Sequence, residues 1–260
     1  MKQDREQELM TRLSLVQKLT LAEAMELLNV SESTARRMFA RLEREGLLIR
    51  THGGIQCVNN AMTLYSFEYG ARTNMEKKTA IARKACSLLE DGDVVFCDSG
   101  TTIQCMCAEL IYRIQREHLN IKLYTNSLAN LELLSPHMQV YLVGGEYRAN
   151  RKDFCGYLSE QALSGLYFTK SFVGTDGCVD GRQFTTTDFE TARMNQIAMK
   201  NSEQVFLLAD SSKFSNASHV AYVSADELHA IITDHEVDQN TMEQLCRSRA
   251  RLICVDCSEP

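Results

Sequence analysis

The sequence predicts a two-domain α/β protein, with a small, mostly helical domain followed by a larger domain on a mainly parallel, doubly wound sheet. Short amphipathic stretches fill the first fifty residues, strand-like and helix-like runs alternate from residue 77 onward, and charge is unevenly distributed. Nine basic and eight acidic residues lie in 1–56, against nineteen and twenty-six in the remainder. The expected boundaries are 1–58 for the small domain, 59–75 for a polar connector and 76–260 for the large domain.

Two helices open the small domain. Arg5–Gln17 carries three apolar residues on one side, at Leu9, Leu13 and Val16. Leu21–Leu28 is the second helix; Thr20 caps it, and Glu23 is placed to complete a capping box. Its apolar face is formed by Leu21, Ala24, Met25, Leu27 and Leu28. Each of these two helices therefore has one apolar face that is expected to be buried.

The third helix carries the basic residues. It follows a tight turn at Asn29-Val30 and is capped by Ser31 or Ser33. Four residues recur at helical spacing and are predicted to face inward: Ala35, Met38, Phe39 and Leu42. The side chains left facing outward are Thr34, Arg36, Arg37, Arg41 and Arg44.

A hairpin completes this pattern. Leu47–Ile55 predicts a two-stranded wing, in which Gly53-Gly54 supplies the positive φ of the turn. A basic helix preceded by a second short helix is how a helix-turn-helix presents side chains to the major groove of DNA. The alternative is an ordinary solvated face, but cap, turn, basic face and wing occur in the order that DNA binding requires. The residues predicted to contact DNA are Thr20, Ser31, Ser33, Thr34, Arg36, Arg37, Arg41, Arg50 and His52.

Composition limits the remaining possibilities. There is no apolar run of about twenty residues and no signal-peptide core, which predicts a cytoplasmic protein with no membrane contact. Several of the ten cysteines fall in apolar patterns and are expected to be buried thiols. Cys254 and Cys257 form a lone pair without further ligands at metal spacing, so neither a metal nor another cofactor is expected. The acidic remainder of the chain confines DNA contact to the small domain.

The large domain alternates helices and strands. Helices are predicted at Lys77–Leu89, Ile103–Gln115, Leu128–Leu134 and Thr191–Asn201. Strands are predicted at Asp93–Cys97, Ile121–Tyr124, Val140–Val143, Lys170–Val173 and Gln204–Ala209. Each strand ends in a polar tip, and in a parallel sheet such tips share one edge, where ligands bind.

One tip is the most informative. Asp98-Ser99-Gly100-Thr101-Thr102 combines a glycine, hydroxyl donors and the start of a helix, which together suit a phosphate. Ordinary turn composition explains any single tip, but five tips at one edge favour a binding site. The residues predicted to bind an effector are Asp98, Ser99, Gly100, Thr101, Thr102, Asn126, Ser127, Gly144, Gly145, Asp176, Glu190 and Lys213.

Val30–Gly54 resembles the winged helix-turn-helix of the DeoR family of bacterial sugar-metabolism regulators. The matching residues are Val30-Ser31, Thr34-Ala35-Arg36-Arg37, Glu45-Gly46-Leu47 and His52-Gly53-Gly54. Met38 stands where the family usually has an aspartate, so a negative charge beside the arginine pair is missing.

The strand tips are similar to the carboxy-terminal sensor of the same family, which itself resembles sugar-phosphate isomerases and coenzyme A transferases. The resemblance implies a phosphorylated sugar as effector, with Thr101 and Thr102 holding phosphate and Lys213 neutralising it. After Glu190 the family usually carries a lysine, and here Arg193 offers a similar charge in a different register.

These observations predict a transcriptional regulator of carbohydrate genes, with repression relieved by a sugar phosphate as the family's common mode. It is expected to be at least a dimer, because operators are read as half-sites. One alternative is an isomerase-like enzyme fused to a DNA-binding domain, with Asp176, Glu190 and Lys213 as catalytic candidates. The other is a nucleic-acid-binding protein whose large domain serves only for oligomerisation.

Overall fold

The computed structural model describes residues 2–16, 18–44, 47–57 and 67–257. Its backbone contacts divide the chain into two compact units, Met1–Tyr69 and Gly70–Pro260. The part of the predicted connector that precedes residue 67, residues 59–66, lies outside the described residues. Within the described part, no helix is long and apolar enough to cross a membrane.

Three helices form the body of the first unit: α1 (Lys2–Val16), α2 (Leu21–Leu28) and α3 (Glu32–Arg44). The predicted capping box is confirmed, since the Thr20 hydroxyl accepts the Glu23 N–H while the Glu23 carboxylate accepts the Thr20 N–H. Asn29 takes a φ of 47° and ends α2 in the left-handed region. The buried residues are Leu9, Leu13, Leu19, Ala24, Leu28, Ala35, Met38, Phe39, Leu42, Leu48 and Ile55.

The wing has three strands where the sequence predicted two: β1 (Lys18–Thr20), β2 (Leu48–Thr51) and β3 (Gly54–Cys57). β3 lies between the other two and is antiparallel to both. The positive φ expected at Gly53-Gly54 is wrong. Gly54 is needed for another reason, because β1 passes so close that a Cβ would lie 2.7 Å from Thr20 Cα. Val16, expected to face the core, is exposed.

The second unit begins within a short helix and contains most of the chain. Its helices are α4 (Phe67–Gly70, shared with the first unit), α5 (Met75–Cys86), α6 (Thr101–Glu117), α7 (Leu128–Leu134), α8 (Tyr157–Ser164), α9 (Phe189–Lys200) and α10 (Gln239–Cys246). Its strands are β4 (Val94–Cys97), β5 (Lys122–Thr125), β6 (Val140–Leu142), β7 (Glu146–Arg148), β8 (Asp153–Cys155), β9 (Phe168–Gly174), β10 (Gly177–Val179), β11 (Gln183–Thr186), β12 (Ser202–Leu208), β13 (Val220–Ser224), β14 (Ala230–Asp234) and β15 (Arg251–Val255). Single 3₁₀ turns occur at Ser211–Phe214 and Ala225–Glu227.

The predicted parallel sheet is confirmed. Seven strands lie in the order β15-β14-β12-β9-β4-β5-β6, and every neighbouring pair is parallel. An antiparallel hairpin, β7–β8, and a small antiparallel sheet, β10-β11-β13, lie outside it. The carboxyl ends of all seven parallel strands therefore meet at one edge of the sheet.

Both faces of this sheet are buried, as a doubly wound arrangement requires. Alternate residues of β9 point to opposite sides: Phe172 belongs to a core with α5 and α6, whereas Val173 belongs to a second core that includes Ala192 of α9. Strands buried on both faces read as continuous apolar runs, and five of the seven were predicted from the sequence, whereas β14 and β15 were not.

Candidate functional site

The exposed face of α3 carries two of the predicted DNA-contacting arginines. Arg36 Nε donates to Glu32 Oε1 at 2.7 Å, and Arg37 Nε donates to the Ser33 carbonyl oxygen at 3.3 Å. The side chains of Arg36 and Glu32 are each 57% exposed. Such an exposed ion pair is worth at most about 1 kcal/mol. Arg36 can therefore exchange its carboxylate for a phosphate or a base edge at small cost.

The hydroxyl groups at the start of α3 bond to one another. Ser31 directly precedes the helix, and its hydroxyl lies 3.2 Å from that of Ser33 and 3.0 Å from that of Thr34. Thr20, also predicted to contact DNA, is occupied by the capping box of α2. Met38 is buried in the core of the unit. Position 38 therefore faces inward, and methionine adds apolar packing where a charge was expected beside the arginines.

Arg41 and Arg50 have partners inside the first unit. Arg41 donates to Glu6, which links α3 to α1. Arg50 Nη1 lies 3.6 Å from Glu43 Oε2. His52 is exposed in the turn between β2 and β3. DNA contact through Arg41 would require its ion pair with Glu6 to open, whereas His52 is already accessible.

In the second unit, Asp98 follows β4 and fixes several elements at the sheet edge. Its carboxylate accepts the N–H groups of Ser99 at 2.6 Å and Gly174 at 3.1 Å, and the side-chain amide of Asn195 at 3.4 Å. Burial raises the pKa of Asp98, although these N–H donors act in the opposite direction. The Ser99 hydroxyl donates to Asp153 Oδ2 at 3.1 Å. The ends of β4 and β9 are thereby tied to α9 and to the β7–β8 hairpin.

The start of α6 meets a buried lysine that lies outside the predicted set. Lys78 of α5 is 3% exposed, and its ammonium donates to Thr101 Oγ1 at 3.0 Å and to the Gly70 carbonyl oxygen. Burial lowers the pKa of Lys78 to about 8; the charge of Asp210 opposes this and that of Lys213 adds to it. The Lys78 ammonium thus lies at the first turn of α6, whose N–H groups carry partial positive charge.

The tip of β5 packs against the β7–β8 hairpin. Asn126 Nδ2 donates to the Phe154 carbonyl oxygen at 3.1 Å, and Ser127 pairs with Asp153 as an isolated antiparallel bridge. The Ser127 hydroxyl caps α7 by accepting the Asn130 N–H at 3.2 Å. Asn126 Oδ1 is buried and has no hydrogen-bond partner among the described residues. This oxygen therefore has an unused acceptor position at the tip of β5.

Arg148 of β7 is surrounded by carboxylates. Its Nε and Nη2 donate to Asp153 at 2.9 and 2.7 Å, and its Nη1 donates to Asp188 at 2.9 Å and Glu190 at 3.2 Å. Nη2 also donates to the Thr191 hydroxyl at 2.9 Å. Although burial opposes the charge, Asp153 and Asp188 raise the pKa of Arg148. Arg148 therefore locks the hairpin against the start of α9.

Arg151 extends this network to Asp176. Its Nη2 lies 3.5 Å from Asp176 Oδ2 and its Nη1 lies 3.5 Å from Asp188 Oδ2. Asp176 also accepts the Thr186 hydroxyl at 3.0 Å and the Thr187 N–H at 3.1 Å. Against the effect of burial, the Thr191 N–H and the charges of Arg151 and Arg148 lower the pKa of Asp188 to about 2. The predicted residues Asp176 and Glu190 thus belong to one charged network.

Gly144 and Gly145 follow β6 and pack against α8. The Gly144 carbonyl oxygen accepts the Ser159 hydroxyl at 3.0 Å. A Cβ on Gly145 would lie 2.5 Å from the Cys155 carbonyl oxygen. Close packing alone accounts for the second glycine, and contact of this pair with an effector stays a prediction.

Arg193 does not take the place of the family's lysine at the sheet edge. It is exposed and donates to both oxygens of Glu160 on α8, at 2.9 and 2.7 Å. Asn195 is instead the buried residue of α9 that reaches Asp98. The charge of Arg193 is therefore used in a surface ion pair with Glu160 and not at the sheet edge.

Of the site residues that sequence reasoning missed, Lys78 had a readable signal. It shares the spacing of the buried stripe formed by Ile81, Ala82 and Ala85 on α5. A lysine on such a stripe is rarely buried without a partner or a function. Arg148 had no such signal, because its partners come from a hairpin and a helix that no local pattern brings together.

Family models identify both parts of the chain. A DeoR-like helix-turn-helix domain matches residues 5–61, and a DeoR C-terminal sensor domain matches residues 73–235. The chain belongs to the DeoR family. It is accordingly a DNA-binding transcriptional regulator of sugar metabolism, as its sequence predicted.

Curated relatives agree with this assignment. The lactose phosphotransferase system repressor of Staphylococcus epidermidis is 36% identical over 224 residues, which covers 82% of this chain and 84% of that protein. The repressor of the same name from Lactococcus lactis subsp. lactis is 34% identical over 229 residues, covering 87% and 88%.

Solved structures match more distantly. Ribose 5-phosphate isomerase A of Methanocaldococcus jannaschii is 19% identical, with a TM-score of 0.43 over 55% of each chain. Subunit delta of translation initiation factor eIF-2B from A. fulgidus is 15% identical, with a TM-score of 0.41 over 81% of this chain and 72% of that one. Similarity at this level does not bear on function.

Proposed function

We propose that this DeoR-family protein is a repressor of carbohydrate-utilisation genes whose DNA affinity is controlled by a phosphorylated sugar bound at the strand ends of its second unit. The observation that carries the effector class is the buried ammonium of Lys78 at the start of α6, where it donates to Thr101. The charge of Asp210 stabilises this ammonium and that of Lys213 opposes it, so an anion bound between the two lysines would lower the energy of both. In the described part of the chain, Lys213 forms no ion pair with a carboxylate.

A phosphate fits this place chemically. The first turn of α6 offers backbone N–H groups, Thr101 and Thr102 offer hydroxyls, and Lys78 and Lys213 offer charge-assisted donors. The lysines supply a compensating charge that the helix terminus alone would lack. The site therefore selects a phosphate monoester over a neutral sugar.

The sugar itself would extend toward the tip of β5. The unpartnered Asn126 Oδ1 can accept a hydroxyl proton, which would satisfy a buried oxygen at the same time. Gly144 leaves open space at the next tip, since a Cβ there would meet nothing within 4 Å. We propose that these two tips read the sugar, while the arginine–carboxylate network behind them keeps the hairpin rigid.

On the DNA side, we propose that Arg36 and Arg37 read base edges, with Ser33, Thr34 and His52 contacting the backbone. Arginine is the side chain best suited to guanine in the major groove. Two copies of the chain would bind two half-sites one helical turn apart. The relatives named lactose phosphotransferase system repressors suggest genes for an imported and phosphorylated sugar as targets. Because its DNA partner is in the cytoplasm, we place the protein there.

We propose that the protein is not an enzyme. Sugar-phosphate isomerisation needs a carboxylate base next to the substrate C–H bond. The two candidate carboxylates are already engaged: Asp176 by Thr186, Thr187 and Arg151, and Glu190 by Arg148. Incubating the full-length protein with the sugar phosphates that it binds should yield no change in their NMR spectra; turnover would contradict this part.

The experiment that tests the regulator uses full-length protein to select duplexes from random DNA. Fluorescence anisotropy then compares the selected duplex with a scrambled one at fixed physiological salt. We expect at least about a thousandfold preference, and a loss of affinity when fructose 6-phosphate, galactose 6-phosphate or another hexose phosphate is added. Equal binding to both duplexes would refute sequence-specific recognition. A selective duplex that no sugar phosphate affects would refute the effector class.

A further inference from the structure

The candidate phosphate site lies directly against the point at which the chain enters the second unit. Gly70 is the first residue of that unit. Its carbonyl oxygen accepts the Thr73 N–H at 3.2 Å and also a proton of the Lys78 ammonium. The same ammonium donates to Thr101 Oγ1 at 3.0 Å. One buried cation therefore holds both the entering chain and the first residue of α6.

A second side chain ties the entering chain to the loop that carries Lys213. Asn74 Nδ2 donates to Asp210 Oδ1 at 2.9 Å and to Ser212 Oγ at 3.1 Å. Asn74 takes a φ of 54°, a left-handed conformation that asparagine adopts more readily than most residues. The backbone at Asn74 is thus set by bonds to the loop that follows β12.

Lys77 adds a third tie to the same loop. Its ammonium donates to Ser211 Oγ at 2.8 Å and lies 3.6 Å from Asp234 Oδ1. Asp234 in turn accepts the Ser211 N–H at 2.7 Å. The segment Gly70–Lys78, called here the entry segment, is therefore bonded to two strand tips of the proposed site.

We propose that the entry segment transmits effector binding to the DNA-binding part of the chain, with Lys78 as the switching residue. This inference rests on the proposed function, since it requires a phosphorylated ligand at Lys78 and Thr101. An ammonium group has three donors. Its bond to a charged phosphate oxygen is roughly twice as strong as one to a neutral carbonyl. Gly70 and Thr101 take two of the three donors, so a phosphate that accepts from Lys78 through two oxygens competes with the Gly70 carbonyl for the ammonium.

This competition gives the two conformations of the entry segment different affinities for the ligand. A ligand shifts two conformations only by binding them with different affinity. The conformation in which Lys78 has left Gly70 gains the stronger bond to phosphate, and the other keeps the entry segment fixed to α6. Asn74 then links the movement of Gly70 to the loop that carries Lys213, so that both lysines respond together.

The test separates effector affinity from coupling. Asn74→Gly removes both side-chain bonds but keeps a residue that tolerates positive φ. His118→Gly is the matched control, because His118 has a φ of 56° and ends α6 at the opposite end from Thr101. Lys78→Met is the second variant. Full-length proteins are titrated with fructose 6-phosphate, galactose 6-phosphate and inorganic phosphate by calorimetry, with and without the selected duplex.

In the wild type we expect the best probe to change operator affinity by about 5- to 150-fold, and the operator to change probe affinity by the same factor. In Asn74→Gly the probe's Kd without DNA should stay within about threefold of wild type, while both coupling factors fall below about twofold. His118→Gly should couple like the wild type. Lys78→Met should bind the duplex with the lowered affinity of the effector-bound wild type, because its bond to Gly70 is absent, and should lose both probe binding and coupling.

The possible failures are distinguishable. A wild type that selects no duplex or binds no probe would overturn the proposed function and, with it, this inference. A wild type that couples, together with an Asn74→Gly variant that couples equally well, would overturn the inference and leave the proposed function intact. Equal loss of coupling in His118→Gly would also overturn it, because the effect would not be specific to the entry segment.

Discussion

Replacing Lys78 by methionine should remove phosphate binding and still leave the second unit as stable as before, or slightly more stable. Burial lowers the pKa of Lys78 from 10.5 to about 8. At 1.36 kcal/mol per pKa unit, holding the charged ammonium there costs about 3 kcal/mol. Methionine forfeits the bonds to Gly70 and Thr101, worth about 1 kcal/mol each. The balance is a gain on the order of 1 kcal/mol.

The lowered pKa of Lys78 also determines how the free energy of unfolding depends on pH. The pKa of Lys78 is lower in the folded chain than in the unfolded one, so between about pH 8 and 10.5 the unfolded chain binds more protons. The free energy of unfolding of the wild type should therefore rise with pH across this window, relative to Lys78→Met. Below pH 8 both states of the wild type are protonated. The full cost of burial is then present, and the difference between the two proteins is constant.

Urea denaturation followed by far-ultraviolet circular dichroism, at pH 7 and pH 9.5, measures these differences; the chain contains no tryptophan to serve as a probe. Lys200→Met is the control, because Lys200 is an exposed lysine on α9 and should change stability by less than about 0.5 kcal/mol. A loss above about 2 kcal/mol in Lys78→Met would show that Lys78 is a structural residue. If phosphate stabilises Lys78→Met as much as it stabilises the wild type, Lys78 is not part of the phosphate site.

Three further outcomes are expected. Arg36→Ala and Arg37→Ala should each weaken operator binding by about 1–3 kcal/mol at matched salt, as measured by anisotropy, if each reads a base edge; equal affinity in both would move the recognition surface elsewhere. Gly54→Ala should destabilise the first unit by about 1–3 kcal/mol, because its Cβ would collide with β1; a thermal transition unchanged from wild type would contradict that geometry. Arg148→Met leaves Asp153 buried without its main partner and should cost about 3–5 kcal/mol in urea denaturation; a loss below about 1 kcal/mol would show that Arg148 is not the lock of the hairpin.

Much of the fold was predictable because its signals are local. The capping box at Thr20 and Glu23 and the apolar spacing of α3 are short-range patterns. Inner strands of the large sheet such as β4 and β9 are buried on both faces and read as apolar runs, although β14 and β15 were not predicted. By contrast, β1 has three residues, and it became a strand only because Gly54 lets it approach β3. Local patterns cannot contain that information.

In the candidate site, too, local features could be predicted from the sequence and long-range contacts could not. The tips after β4, β5 and β12 could be read from the sequence, because a parallel sheet brings the ends of its strands together whatever the rest of the chain does. The residues that bond to those tips could not be predicted from the sequence. Lys78 reaches Thr101 from α5, and Arg148 reaches Asp188 across forty residues of chain. Asn195 rather than Arg193 meets Asp98, since two positions along a helix turn a side chain by about 200°, to the opposite face.

The charge of the chain acts differently at long and short range. Residues 57–260 carry nineteen basic and twenty-six acidic side chains, which disfavours contact with DNA phosphates along that surface. Exposed charges are screened over about 8 Å at physiological salt, whereas the buried ammonium of Lys78 is not. Arg148 and Arg151 are neutralised by carboxylates, whereas Lys78 places a buried ammonium at the start of α6. An acidic domain can therefore repel a polyanion and still bind one phosphate, and composition alone assigns DNA to the first unit without excluding a phosphorylated effector from the second.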